Sequence, residues 1–336
     1  MFNFSEAHMP ELPEVETVVS DLNQKIVGDT IVDFWSDWTK TIKNLSLKKF
    51  KRDIRNRKIL RARRIGKNIF IDLSGGKTLY IHLKMTGHLL IKSEILNPKS
   101  LPEMLRISKQ AGETNSKSKN QKTTNYSLST TNYFNDRVNQ YIHHIWKLKS
   151  CSMKHKTCSK KTLEFSDMRK FAKIVLDDTE KINNLPEIKK LGVDAMSREF
   201  TLKKFQEIIS KKSVSRRSKP IGIILMEQEL IAGIGNIYRS EILFESRISP
   251  LRKSGKITKK EAKKLYQSIQ KVLKKAIRMR GTSDSDYRDT AGMAGNFQKV
   301  LQVYRKDKKV CLNCGIIIKR LKLGQRNAFF CPQCQK

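Results

Sequence analysis

Four cysteines near the C-terminal end are the residues whose type and spacing speak most directly of chemistry. Cys311, Cys314, Cys331 and Cys334 form Cys-x2-Cys-x16-Cys-x2-Cys. Each pair supplies two thiolates from one tight turn, and the span between them folds as a hairpin that closes the pairs around tetrahedral Zn2+. One structural zinc is expected, contributing about 10 to 16 kcal/mol of apparent binding energy to a segment with little core of its own. Such a metal folds the segment and does not catalyse. Lys319, Arg320, Lys322 and Arg326 lie between the pairs and make the hairpin basic. A second constellation, Gly233-Ile234-Gly235-Asn236, falls between two helical patterns. Backbone N–H groups at a helix N-terminus cradle phosphate, and Asn236 would add a side-chain donor. Two glycines between helices are, however, more often a plain tight turn. Near the other end, Pro10-Glu11 taken alone is an ordinary helix start.

Charge narrows the partner. The 336 residues carry 69 Lys plus Arg against 32 Asp plus Glu, a formal net charge of +37. A surplus of that size argues against small-molecule chemistry alone and for a polyanion, nucleic acid or an anionic membrane face. The longest apolar stretch, Ile221 to Met226, is far below the roughly 18 to 20 residues that span a bilayer, and no secretory leader pattern opens the chain. A soluble, intracellular protein is expected. Of six cysteines, four are in the two pairs, while Cys151 and Cys158 stand alone in a lysine-rich stretch. That distribution suits a metal site in a reducing compartment better than a disulfide framework.

The elements that must position these residues are legible from periodicity. Val15, Val18, Val19, Leu22 and Ile26 recur at spacings of three and four, with Pro13 where a first helical turn tolerates it, which predicts one amphipathic helix over 11–26. Ile69, Ile71 and Leu73, then Gly75-Gly76, then Leu79, Ile81 and Leu83 predict a hairpin with its tip at 74–77. Between Arg106 and Asn132, 20 of 27 residues are Ser, Thr, Asn, Lys or Gln, too polar to offset the entropy of ordering, so a disordered insertion is expected. Strand-like text resumes at 141–148 and 163–165, so the insertion interrupts a β-rich N-terminal domain. From Leu185 the pattern is helical, with segments around 202–209, 223–229, 237–245 and 262–276, the last ending at Gly281.

Several motifs in one order carry a resemblance. Met9-Pro10-Glu11-Leu12-Pro13-Glu14-Val15-Glu16-Thr17, Arg63-Arg64-Ile65-Gly66-Lys67, Ile81-His82-Leu83-Lys84-Met85-Thr86-Gly87, Asp167-Met168-Arg169-Lys170-Phe171, Gly233 to Arg239, Phe297-Gln298, and the cysteine segment with Gln325-Arg326 resemble the formamidopyrimidine-DNA glycosylases, whose family also includes endonuclease VIII. The likeness spans roughly 9 to 94 and 140 to 336. It implies an α+β fold: an N-terminal β-sandwich begun by the catalytic helix, a C-terminal α-domain with a helix-two-turn-helix, and a terminal zinc finger. The boundaries expected are 1–8 for an extension absent from the mature enzyme, 9–184 for the sandwich with its insertion at about 97–138, 185–300 for the α-domain and 301–336 for the finger.

The resemblance also implies residue roles. Pro10, its secondary amine freed by removal of the initiator methionine, would attack the sugar C1′ of a damaged nucleotide. An amide nitrogen cannot do this, because its lone pair is in resonance with the carbonyl. Glu11 would shuttle a proton beside Pro10 and Glu14 would help order the site. Lys67 would sit near the phosphates and C1′ as the cation used in elimination, and Arg326 would clamp the phosphate beside the lesion. Met85, Arg169 and Phe171 would fill the space left by the everted nucleotide. The family's usual Asp-Pro-Arg-Arg-Phe-Gly stands here as Asp167-Met168-Arg169-Lys170-Phe171-Ala172, without the proline and glycine that stiffen that loop. Arg216, Arg217, Lys219, Asn236 and His143 or His144 would grip phosphates without reading bases.

On this likeness a monomeric bifunctional DNA glycosylase and abasic-site lyase is expected. It would act on double-stranded damaged DNA with no membrane and no small-molecule cofactor. Residues 281–298 look more like the oxidised-purine branch; an endonuclease VIII-like preference for oxidised pyrimidines is the alternative. Eight residues precede Met9. Translation starting at Met9, trimming of the extension, and a catalytically silent damaged-DNA binder with Pro10 blocked are the three ways to read them, and the Met9 start is favoured. A tether for RNA or another polyanion remains a further use for the basic insertion.

Overall fold

The computed structural model describes residues 9–93, 136–152, 157–210, 218–283 and 286–336. Helix α1 (Leu12–Lys25) takes the expected face inward, with Val15, Val18 and Leu22 wholly buried. Pro13 sits in its first turn, and the Glu14 carboxylate accepts the Glu11 backbone N–H at 2.8 Å, closing the helix start. The insertion expected at about 97–138 lies outside the described residues except at its end. There a 3-10 turn, Arg137–Gln140, is capped by the Asp136 side chain accepting from Val138 N at 3.1 Å.

The N-terminal half consists of β1 (Thr30–Ser36), α2 (Leu47–Ile54), β2 (Arg57–Ile65), β3 (Asn68–Leu73), β4 (Lys77–His82), β5 (His88–Ser93), β6 (Ile142–Ser152), β7 (Thr157–Ser166) and β8 (Lys173–Asp178). These strands pair antiparallel in the order β5-β7-β6-β1-β2-β3-β4-β8. The β1–β2 joint rests on Thr30↔Lys58 and Ile31↔Arg57 alone. The sheet can therefore bend there, and its halves close on one core. Phe34, Trp146 and Phe165 enter it from one side, Ile69, Ile81 and Ile174 from the other, with Phe50 of α2 and the inner face of α1. Cys151 and Cys158, in a chain whose cysteine distribution suited a reducing compartment better than a disulfide framework, face each other across β6 and β7 with Cα atoms 4.2 Å apart and are disulfide-bonded. The correction comes from register: a hairpin brings residues seven apart into opposition.

Beyond two short helices, α3 (Thr179–Asn183) and α4 (Pro186–Lys189), the second half is helical, as expected, apart from a small parallel pair of β9 (Val193–Asp194) with β10 (Ile231–Ala232). Its helices are α5 (Leu202–Ser210), α6 (Ile221–Ile224), α7 (Asn236–Ser246) and α8 (Lys259–Arg278). The helix expected over 223–229 stops at Ile224. Gln228 explains why: its amide donates to the Met226 and Ile234 carbonyls and accepts from Gly233 N, which folds the chain into a turn. The terminal hairpin, β11 (Lys319–Leu323) and β12 (Arg326–Phe330), places Ile318, Phe329, Cys311 and Cys331 in the same buried cluster as Tyr238, Leu265 and Ile269. Leu12 belongs to this second core while Val15 and Val18 belong to the first. The start of α1 is thus wedged between the two halves, where the candidate catalytic residues lie.

Candidate active site

Glu11 is the N-cap of α1, and it is held by another helix. Leu12 N–H donates to the Gly233 carbonyl at 3.1 Å, which brings the Glu11 carboxylate onto the N-terminus of α7. There it accepts from the N–H groups of Gly235 at 2.8 Å, Ile237 at 2.9 Å and Tyr238 at 3.4 Å. The approach is so close that a Cβ on Gly235 would lie 2.3 Å from the Glu11 carboxyl carbon, and one on Gly233 would lie 2.4 Å from Leu12 Cδ1. Gly233 also has φ +108, which side chains other than glycine's rarely adopt. The turn at 233–236, read either as a plain tight turn or as a phosphate cradle, therefore holds an anion from within the chain. The helix N-terminus suits a negative group, and here that group is Glu11.

Glu14 lies one turn further along α1, 1% exposed. Its carboxylate accepts from Tyr238 Oη at 2.5 Å and Thr282 N at 2.7 Å as well as from Glu11 N. Burial, reinforced by the neighbouring Glu11, pushes its pKa up to about 7 from an ordinary value of 4.5. Burial likewise lifts Glu11 above its ordinary value, opposed by Lys67 and the three α7 amides. Between pH 4.5 and about 7 the folded chain keeps a proton on Glu14 that the unfolded chain has released. Folding then takes up a proton, and stability falls as pH rises through that window. A shift of this size corresponds to about 3 kcal/mol. Urea unfolding at pH 5 and pH 8 should show that loss in the native sequence and a flatter response in Glu14→Gln. Equal pH slopes for the two proteins would remove the assignment.

Lys67 occupies the turn between β2 and β3 and is partly buried. The turn is pinned to the second half by Asp194, whose Oδ2 accepts from Arg64 Nη1 at 2.5 Å and Gly66 N at 2.6 Å. Burial depresses the Lys67 pKa, with Arg326 acting in the same direction and Glu11 and Glu14 against it. Lys67 therefore feels the charge of the other three side chains, although Arg326 comes from the exposed start of β12. Pro10 is buried beside Glu11. Met9, Lys67, Asn68, Tyr80, His82 and Lys84 line part of a 350 Å³ cavity. His82 is a cavity-facing group that sequence reasoning passed over. Its only signal was its place two residues before Lys84, whose backbone N–H donates to His82 Nδ1 at 3.0 Å.

Met85, Arg169 and Phe171 are brought together. Arg169 Nη1 lies 3.3 Å from Met85 Sδ, and its guanidinium carbon lies 4.9 Å from the centre of the Phe171 ring, which is 55% exposed. The two loops are laced by Thr86 Oγ1 donating to Asp167 Oδ1 at 2.5 Å, while Thr86 Oγ1 accepts from Arg169 N and Asp167 Oδ2 accepts from Ala172 N. Lys170, at φ +58, lies over the Trp38 ring at 4.4 Å. Asp167 and Trp38 thus supply restraint where the usual proline and glycine are missing.

The remaining expected contacts divide. Asn236 is 7% exposed at the first turn of α7, with Oδ1 accepting from Arg239 Nη2 at 2.5 Å. His143 does not present itself to a phosphate. It is 7% exposed and its Nδ1 lies 2.9 Å from Asp37 Oδ1, while His144 is fully buried against Thr41. Both sit on β6, whose Lys147 and Lys149 are exposed, so it is the packing against Asp37 and Thr41, and not the strand's place in the sheet, that encloses them. Lys219 pairs with Glu227 at 2.7 Å. Arg216 and Arg217 lie outside the described residues.

At the finger, the four Sγ atoms lie within 4.8 Å of one another. Cys311 and Cys334 are 3.9 Å apart at sulfur, and Cys314 and Cys331 are 3.4 Å apart. A tetrahedron with Zn–S bonds of about 2.3 Å has edges of about 3.8 Å, so the set fits one zinc ion. Asn313 Nδ2 donates to Cys334 Sγ and Cys334 N to Cys331 Sγ, contacts that orient two of the four sulfurs.

Residues 9–174 match the formamidopyrimidine-DNA glycosylase N-terminal domain, 191–288 the H2TH domain of the same proteins, and 308–336 the zinc finger found in FPG and IleRS. The formamidopyrimidine-DNA glycosylase of Pelotomaculum thermopropionicum is 35% identical, over 98% of this chain and 99% of its own. That of Carboxydothermus hydrogenoformans is 33% identical, over 98% and 100%. Among solved structures, Lactococcus lactis Fpg in complex with an abasic site containing DNA superposes with a TM-score of 0.72 at 26% identity, covering 97% of this chain and 99% of that one. The same Lactococcus lactis protein bound to an N7-benzyl-Fapy-dG containing DNA gives 0.72 at 26%, over 97% and 100%.

Proposed function

This chain belongs to the formamidopyrimidine-DNA glycosylase family and is a DNA glycosylase of base-excision repair, and from that premise we propose that it acts on oxidised purines in duplex DNA through a Pro10 Schiff base and then cuts the strand by β,δ-elimination. The observation that supports the reading best is the placement of Glu11. A buried carboxylate with a raised pKa stands next to Pro10 in the field of Lys67, held on the N-terminus of α7 at the seam between the two halves. A carboxyl poised nearer neutrality both accepts and returns a proton at working pH.

The chemistry is dictated by the amine. The Pro10 nitrogen bonds to C1′, the C1′–base bond breaks, and the base leaves with a proton. Opening of the sugar ring, with Glu11 protonating the ring oxygen, gives an iminium at C1′. A secondary amine yields an iminium with no N–H to lose, so the positive charge persists and draws electrons from C2′. Loss of a C2′ proton expels the 3′ phosphate. Loss of a C4′ proton expels the 5′ phosphate, and water releases the sugar remnant from Pro10. Lys67 and Arg326 would stabilise the departing phosphates. Asn236 grips the backbone, and Met85, Arg169 and Phe171 occupy the gap left by the everted nucleotide. The finger's zinc is structural and enters none of these steps.

The test compares duplexes carrying an oxidised purine with duplexes carrying an oxidised pyrimidine, using protein whose chain begins at Pro10. Faster release of the purine, with phosphate on both ends of the resulting gap, is expected. Faster pyrimidine release would reassign the substrate, and a cut that stops after the first elimination would reassign the mechanism.

A further inference from the structure

Arg239 is the second largest of the fully buried side chains, at 0% exposure, and no carboxylate among the described residues is bonded to it. Only its Nη2 is engaged, donating to Asn236 Oδ1 at 2.5 Å and to the Asn327 backbone carbonyl at 2.8 Å; Nε and Nη1 have no partner among the described residues. A buried guanidinium without a bonded anion is expensive to keep in a fold. Burial pulls its pKa down to about 10, against the favourable but indirect charge of Glu11. Packing alone would be served as well by an apolar side chain of similar volume.

The two acceptors show what the cation organises. An asparagine amide turns either its oxygen or its nitrogen outward, and only the nitrogen attracts a phosphate. With Oδ1 held by Arg239, Asn236 is left with Nδ2 as the end that has no partner among the described residues. The second acceptor is the carbonyl of Asn327, the residue after Arg326 on β12. One nitrogen thus joins the N-terminus of α7 to the finger strand that carries Arg326. We propose that Arg239 is a positioning residue, which orients the Asn236 amide as a phosphate donor and fixes the finger's Arg326 relative to it. The proposal rests on the assignment of Asn236 and Arg326 as phosphate contacts given above.

The experiment is a double-mutant cycle read as affinity for a duplex with a tetrahydrofuran abasic-site analogue, on zinc-loaded protein beginning at Pro10. Arg239→Gln and Asn236→Ala should each weaken binding by about tenfold, the scale of a lost charge-assisted or phosphate hydrogen bond. If Arg239 acts through Asn236, the double variant binds only slightly more weakly than either single one. Arg239→Lys keeps the charge but lacks the fork that spans two acceptors, so it should recover part of the loss, and it reads the same coupling should the glutamine variant not fold. Full additivity of the two losses would overturn the proposal, as would unchanged binding by Arg239→Gln. Failure of the unsubstituted protein to bind the analogue would instead remove the underlying function.

Discussion

Protein whose chain begins at Pro10 should form a covalent adduct with abasic-site DNA on borohydride treatment, whereas protein retaining residues 1–9 should form none. The same pair should differ in strand scission by roughly 10³-fold or more, the scale on which removal of a covalent nucleophile is felt. The reason is electronic. With Met9 attached, the Pro10 nitrogen is an amide whose lone pair is delocalised, and no proton transfer by Glu11 can make it nucleophilic. Pro10→Gly is the graded companion. Glycine offers a primary amine, whose imine is cationic only while protonated, and it lacks the ring that packs into the seam between the halves. Scission should therefore survive only as a trace. Intact mass of the protein isolated from its natural source decides which chain exists in the cell. Equal trapping by the extended and the Pro10-start proteins would end the Schiff-base mechanism, whatever the DNA affinity.

What could be foreseen from the sequence depended on how far apart the interacting residues lie. The face of α1, the 69–83 hairpin and the helices 202–209, 237–245 and 262–276 are set by local periodicity, and all appear. The finger's ligands are two local pairs, and they converge. Gly233 and Gly235 looked like a phosphate cradle because the sequence records only a helix N-terminus with room beside it. The anion that fills it, Glu11, is more than two hundred residues away in the chain. Arg239 was similarly hidden, since one arginine within a basic sequence gives no sign that it will be buried with two acceptors on different elements. His143, offered together with His144 as a phosphate contact, lies 2.9 Å from Asp37, a residue more than a hundred positions away that no local pattern links to it. The early end of the helix at Ile224 turned on one side chain, Gln228, bonding across a turn that no propensity scale weighs.

Zinc removal should have the second large effect, and it should reach beyond the finger. A chelator, or Cys331→Ala, is expected to lower affinity for abasic-analogue duplex by about 10²-fold or more and to abolish the second elimination, consistent with an apparent zinc contribution of about 10 to 16 kcal/mol to folding. That contribution rivals the whole stability of an ordinary domain, about 5 to 15 kcal/mol, so the hairpin β11–β12 cannot hold its shape on its remaining contacts. Its loss displaces Arg326 directly. It also removes the Asn327 carbonyl from Arg239 and takes Phe329 away from Tyr304, whose rings pack edge to face at 5.2 Å. The sheet half shares none of those contacts and keeps its own core. Two signals should then separate on chelation: the finger and the affinity should be lost together with zinc content, while a cooperative unfolding transition from the sandwich persists. Metal-free protein that bound the duplex as tightly as before would show that Arg326 does not grip the phosphate. It would also show that the finger's basic surface is incidental to recognition.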